Sequence, residues 1–252
     1  MQKREIETGQ LTRVKNRYVA RFALSDSEIR AAQRLRYQVF SEEFGARLRS
    51  SEAGLDRDEL DSYCLHLIVR DEDAGSIVGT YRLLPPQTAR LIGRNYSESE
   101  FDMERLVNLR SRTLEVGRSC VAADHRSGSV IALLWMKLAE YMVRNGYEYL
   151  MGCASISMAD GGHNAANIYR SLPQGCRAPL EYQVFPYTPL PVEHLANQQA
   201  VEMPPLIRGY LRAGAWVCGE PAWDPDFNSA DLFLLLPMAN LSERYKKHFV
   251  RG

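Results

Sequence analysis

Residues 113–154 read TLEVGRSCVAADHRSGSVIALLWMKLAEYMVRNGYEYLMGCA, and this stretch decides the fold. Thr113–Val121 reads as a strand. Ser127-Gly128-Ser129 then opens a run, Val130–Asn145, whose apolar residues recur at helical spacing and which Gly146 closes. Tyr147–Ala154 reads as a second strand. A strand–helix–strand unit of this kind forms a right-handed parallel crossover. It places the loop at 125–129 at a helix N-terminus, where free backbone N–H groups and the helix dipole suit a phosphate. Taken alone that signal is unspecific, because many helices begin after Ser-Gly.

Outward from this unit the elements are mixed. Arg17–Leu24 alternates like a strand, and Ser25 or Asp26 caps a helix with Ile29, Ala32, Leu35, Val39 and Phe40 on one face. A charged, Gly-containing loop spans 45–62. Tyr63–Arg70 and Ser76–Leu84 flank Asp71–Gly75 as a hairpin, and Pro85-Pro86 ends its second strand. A short helix is expected near Glu100–Leu109 and another at Asn164–Leu172. Further on, short strands are expected at Glu181–Phe185, Trp216–Gly219 and Asp231–Leu236. Helices are expected at Ile207–Leu211 and Leu241–Phe249. The pattern predicts an α/β fold with a mixed sheet.

Lys plus Arg and Asp plus Glu both total 31, which argues against a broadly basic nucleic-acid binder. The ends are basic, with Lys3, Arg4, Arg13, Lys15 and Arg17 at one and Arg244, Lys246, Lys247 and Arg251 at the other. They are either solvated tails or a peripheral contact with anionic membrane. The five cysteines have no CxxC or zinc spacing, so reduced thiols and no metal are expected. No signal-peptide pattern opens the chain and no run spans a bilayer, so the expected location is cytoplasmic, peripheral to the inner membrane at most.

Several strings, in shared order over residues 36–245, carry a family resemblance. They are Arg36-Tyr-Gln-Val-Phe40, Asp58-Glu-Leu-Asp61, Cys64-Leu-His66, Ile77-Val-Gly-Thr-Tyr-Arg82, Leu114-Glu115-Val-Gly-Arg118-Ser-Cys-Val121, Arg126-Ser-Gly128 and Gly152-Cys-Ala-Ser155. The chain resembles the GNAT superfamily and, within it, the acyl-carrier-protein-dependent ornithine N-acyltransferases and hemolysin-like proteins. Acyl-homoserine-lactone synthases resemble it more distantly. The resemblance implies a GNAT fold, with a central, mixed, splayed sheet flanked by helices. Residues 1–16 would be a polar basic arm, and 17–252 a single domain with a C-terminal extension. It implies transfer of a (3-hydroxy)acyl chain from acyl carrier protein to the α-amine of ornithine, making lyso-ornithine lipid. Alternatives are another amino-acid acceptor, a homoserine-lactone-type synthase, or a non-catalytic hemolysin-like lipid-binding protein. No tightly bound cofactor is implied; the phosphopantetheine thioester, or acyl-CoA, is a co-substrate.

The resemblance also assigns roles. Val121, Arg126, Ser127, Gly128 and Ser129 would hold the phosphopantetheine. The loop His125-Arg-Ser-Gly128-Ser-Val130 departs from R/Q-x-x-G-x-G/A by its first and last residues. A β-branched last residue resists close approach of a pyrophosphate, which favours the single phosphate of a carrier protein. Glu115, with Arg118 and Arg82, forms the expected catalytic group. Glu115 is either the base for the amine or a structural partner of an arginine, and Gly117 suggests a bulge that would bring 115 and 118 to one face. Arg36, Asp58 and Asp61 are expected either to bind the acceptor or to pair with one another. His66 and Cys120 read as core residues, as do Trp135 and Met136, while Tyr169 resembles the tyrosine that protonates a leaving thiolate. Arg105, Arg110, Arg112, Arg126 and Lys137 would either steer an acidic carrier protein or sit in solvent.

Overall fold

The computed structural model describes residues 17–48, 50 and 52–241. In chain order its elements are β1 (Tyr18–Phe22), α1 (Asp26–Tyr37), β2 (Leu65–Asp71), β3 (Ser76–Leu84), α2 (Pro86–Ile92), β4 (Phe101–Asp102), β5 (Thr113–Val121) and α3 (Ser129–Asn145). They continue as β6 (Tyr149–Ser157), α4 (His163–Ser171), β7 (Phe185–Pro186), α5 (Val192–Leu195), α6 (Pro205–Ala213), β8 (Trp216–Val217), β9 (Ala222–Asp224) and β10 (Ser229–Pro237). One eight-stranded sheet runs β1-β2-β3-β5-β6-β10-β8, with β9 also on β10. Among the described strands only the β5–β6 pair is parallel; its neighbours are antiparallel.

The uninterrupted apolar run of β10 follows from burial on both faces. Leu232, Leu234 and Leu236 join Val130, Leu134 and Leu138 of α3 and Ile207 and Tyr210 of α6 in one cluster. Phe233 and Leu235 point the other way, into Phe101, Met103, Leu106 and Leu109. On that opposite face α1 lays Leu35 and Val39 against Cys120 of β5. Ser25 caps α1, its hydroxyl accepting from the Glu28 N–H, and Gly146 closes α3 in the left-handed conformation.

The feature that matters most lies between β5 and β6. They pair at Thr113↔Tyr149, Leu114↔Leu150 and Glu115↔Met151 and then part. Beyond that point β6 follows β10 to Ser157 while β5 follows β3 to Val121. The cause is a bulge in β5: the β3 partners jump from Cys120 to Gly117, so Arg118 and Ser119 together face Tyr81. Arg118 takes φ 51°, a left-handed conformation that a non-glycine residue holds only where its surroundings impose it. The expected bulge is present, with Arg118 rather than Gly117 as its left-handed residue. Gly152 sits where the strands separate. A Cβ there would lie 2.2 Å from the Val116 carbonyl oxygen, so only glycine admits this approach.

Several expected elements differ. The helix expected near 100–109 is instead β4 followed by a 3-10 helix, Glu104–Arg112, because Phe101 is drawn into the core and Asp102 pairs with Phe185. The strand expected at 181–185 shrinks to β7, preceded by a 3-10 turn at Leu180–Tyr182. Pro86 does more than end β3, since it occupies the first turn of α2, where its missing N–H costs nothing. β6 begins two residues late because the Tyr147 N–H returns to Met142 O of α3. Met136 is about half exposed rather than core. The basic arm 1–16 and residues 242–249 of the last expected helix lie outside the described residues.

Candidate active site

A cavity of about 440 Å³ passes through the sheet at the splay. On the α3–α6 face its walls are apolar: Leu206, Leu234 and Leu236, with Tyr81 and Tyr210. On the opposite face they are polar, with Arg82, Tyr96, Arg118 and Asp231. A second cavity, of about 540 Å³, shares Tyr96, Arg118, Asp224 and Phe227 with the first and adds Asp56, Asp58, Glu100 and Arg47.

Five of the expected site residues meet in one buried network. Arg36 grips both oxygens of Asp61 at 2.9 and 2.8 Å, and its Nε reaches Asp56 at 2.9 Å. Arg82 donates to both oxygens of Asp58 at 2.7 Å. Arg118 reaches Asp56 at 3.1 Å and Asp58 at 3.4 Å, and donates to the Tyr96 hydroxyl at 3.1 Å. The Arg118 guanidinium also lies over the Tyr96 ring at 5.0 Å and the Phe227 ring at 4.5 Å. Three arginines thus face three aspartates. Burial opposes ionisation of Asp58 and Asp61, but Arg82 and Arg36 respectively overcome it and hold both carboxyls below the ordinary range. Asp58 and Asp61 also cap the 3-10 turn Glu59–Ser62. Asp61 is occupied on both oxygens, and Asp58 keeps a quarter of its side chain open toward the cavity.

Glu115 is buried and fully engaged. One oxygen accepts from Asn95 Nδ2 at 3.0 Å and Tyr96 N at 2.8 Å, the other from Ser97 N at 2.8 Å and Ser97 Oγ at 2.6 Å. The carboxylate therefore pins the 95–97 loop onto β5. Because Glu115 holds the Tyr96 backbone and Arg118 holds its hydroxyl, the bulge has set both side chains on one face, against strict strand alternation.

A second acidic group was missed by the sequence reading. Glu100, Cys153 and Asp231 bring one polar atom each within 4.8 Å of one another. Burial, then the charges of Asp231 and Asp224, push the Glu100 carboxyl up to about 9. Burial also raises Asp231, which accepts from Ser229 Oγ at 2.9 Å. Near neutral pH the Glu100 carboxyl therefore keeps its proton. Asp231 directly precedes the apolar run of β10, and a lone carboxylate on a buried strand was the available signal. Asn95, Tyr96 and Ser97 had none, since they lie in a loop placed by β5.

At the expected donor loop, Gly128 takes φ 101° and begins α3 without any side-chain cap, so the first N–H groups face outward. Ser127 and Ser129 hydroxyls lie 3.3 Å apart beside it. Arg126 is turned back: its Nε donates to Val121 O and its fork clasps Glu43 of the turn after α1. The basic rim is likewise occupied, with Arg110 on Glu98, Arg112 on Glu148 and Lys137 on Glu140, and Arg105 on the Leu180 carbonyl. His66 is a core residue bonded to Asp61 O, and burial pushes the Cys120 thiol up to about 12. Trp135 packs at a tilt against Tyr210, outside the cavity wall. Tyr169 lies under Arg177 and does not line the cavity.

Residues 35–136 match the model of the acetyltransferase (GNAT) domain. The L-ornithine N(alpha)-acyltransferase of Brucella abortus (strain 2308) is 37% identical, over 91% of this chain and 87% of its own length. That of Rhodobacter capsulatus is 38% identical, over 93% and 95%. Among solved structures, the AHL synthase LasI superposes with a TM-score of 0.51 at 13% identity, covering 93% of this chain and 95% of its own, a likeness of fold. No helix among the described residues is long and apolar enough to cross a membrane. The chain belongs to the L-ornithine N(alpha)-acyltransferase family, within the GNAT fold.

Proposed function

We propose that the protein transfers a (3-hydroxy)acyl chain from a phosphopantetheine thioester of acyl carrier protein to the α-amine of L-ornithine, forming an amide and releasing thiol. The observation that carries this reading is the cavity through the splay, apolar at one end and polar at the other, where Asp231 and the neighbouring Glu100 lie. An acyl tail suits the first end and a diamino acid the second.

The uncapped start of α3 at Gly128 receives the phosphate, and the parted edge of β5 receives the pantetheine amides and the thioester. Backbone N–H groups on that edge then face the oxyanion of the tetrahedral intermediate. The acyl chain runs past Leu206, Leu234 and Leu236. In the polar cavity the Glu100–Asp231 pair takes the side-chain ammonium of ornithine, and Arg47 at the rim takes its carboxylate. The α-amine, with an ordinary affinity near pH 8, is neutral in a useful fraction near neutrality, so attack needs only a weak acceptor for its proton. Glu115 is a positioning residue here: it fixes Tyr96, which aligns Arg118 at the junction of the two cavities. The Arg36–Asp61 and Arg82–Asp58 pairs hold that junction rigid. A membrane contact for the product falls to the basic termini.

The test is incubation of the purified chain with charged acyl carrier protein and a panel of amino acids, with mass spectrometric detection of the amide. Product with ornithine, falling steeply when the side-chain ammonium is removed from the acceptor, supports the reading. Equal product with an acceptor lacking that ammonium overturns the acceptor assignment, and product only from the CoA thioester overturns the donor.

A further inference from the structure

The cavity wall on the α3–α6 face is apolar except at one place. There the Tyr81 and Tyr210 hydroxyls lie 2.5 Å apart, and Ser119 sits opposite Tyr81 in the bulge. All three residues line the cavity, and the two tyrosines are only 2% and 8% exposed. Tyr81 comes from β3 opposite the bulge, Ser119 follows Arg118 within it, and Tyr210 reaches across from α6. The trio therefore bridges the splayed edge and the apolar end.

A count of protons shows what this trio lacks. The two tyrosine hydroxyls, joined by one hydrogen bond, use one of their two protons, and the other is not taken up between them, with the Ser119 hydroxyl beside them. A donor left over inside an apolar space is costly unless an oxygen meets it. Shape packing alone does not call for this arrangement, since phenylalanines would fill the same volume without the unspent proton. A hydroxyl on the ligand both accepts and donates, so it can close the chain. Ser119 belongs to the parted edge, so the ligand oxygen must sit within a few atoms of the thioester carbonyl.

We infer that Ser119, Tyr81 and Tyr210 are the specificity-determining residues that select acyl donors bearing a hydroxyl near the thioester, at the 3-position. This rests on the proposed placement of the acyl chain in the cavity, and not on which amine accepts it.

The test is direct binding of the pantetheine thioesters of 3-hydroxydodecanoic and dodecanoic acid, by calorimetry, to the wild type and to Tyr210→Phe and Ser119→Ala. Phenylalanine keeps the ring that packs against Trp135, and Ser119 is half-buried, so the two variants perturb the fold differently. The wild type is expected to prefer the hydroxylated thioester about tenfold, the size of one net hydrogen bond. Each variant is expected to bring that ratio close to one. A wild type without preference, or variants that weaken both thioesters equally while keeping the ratio, overturns the inference. The acceptor reading fails separately: if ornithine is not acylated but the binding preference stands and Tyr210→Phe abolishes it, this assignment holds and the acceptor is another amine.

Discussion

Replacing Glu115 by glutamine separates a positioning role from a proton-accepting one. The carboxylate accepts four hydrogen bonds, two on each oxygen, from the 95–97 loop. Glutamine keeps one oxygen, so it can accept two of them at most. Its NH₂ group would then face two donors, leaving both buried without an acceptor. A hydrogen bond to a charged group is worth about 1.5–3 kcal/mol net, so losing two costs about 3–6 kcal/mol. Against a typical domain stability of about 5–15 kcal/mol, that is a large fraction. The loop would also release Tyr96, and with it the alignment of Arg118. The expected outcome is therefore a marked drop in urea midpoint together with lost turnover. The measurement is chemical denaturation followed by fluorescence, paired with amide formation at a temperature where the variant is still folded. A Glu115→Gln protein with the wild-type midpoint and a turnover loss of about 10²–10⁴ would refute this reasoning and assign the amine's proton to Glu115.

Other perturbations probe separate parts of the molecule. Gly152→Ala places a methyl against the Val116 carbonyl and is expected to destabilise by about 1–3 kcal/mol in a denaturant titration, because backbone must move. Arg36→Ala takes both close guanidinium bonds from buried Asp61 and leaves Asp56 with Arg118 alone, and a loss of about 3–5 kcal/mol is expected in the same titration. For Glu100 the folded carboxyl binds its proton more tightly than an unfolded one. Its contribution is therefore complete below the unfolded value and fades as pH rises toward about 9. Glu100→Gln should flatten the decline in melting temperature between the unfolded carboxyl's range and about pH 9, and an unchanged slope would remove the proton from Glu100. The same variant is expected to raise KM for ornithine more than it lowers kcat, measured by steady-state kinetics.

The fold was legible wherever a periodic pattern carried its own signal. The crossover from Thr113 to Ala154, the hairpin around Gly75 and the apolar run of β10 all read correctly, because each advertises burial or a turn locally. What failed were elements defined by distant partners: β4 exists because Phe185 lies opposite Asp102, and β9 because β10 offers a free edge. The site behaved similarly. Arg36, Asp58, Asp61, Arg82 and Arg118 were all named, but that they would neutralise one another was not decidable from spacing. Glu115 was singled out as either base or partner of an arginine, and its four donors come instead from a loop with no motif of its own.

The amino-acid order by itself determined the strand–helix–strand core, the glycine that starts α3 and the set of charged residues committed to the interior. Those properties follow from propensity and patterning over a few residues. Only the tertiary structure decided where β5 leaves β6, which carboxylates are spent on arginines and which carboxyl keeps a proton. Each of these depends on the distance and burial of groups far apart along the chain, and electrostatic energy in a dry interior is set by that geometry rather than by sequence separation.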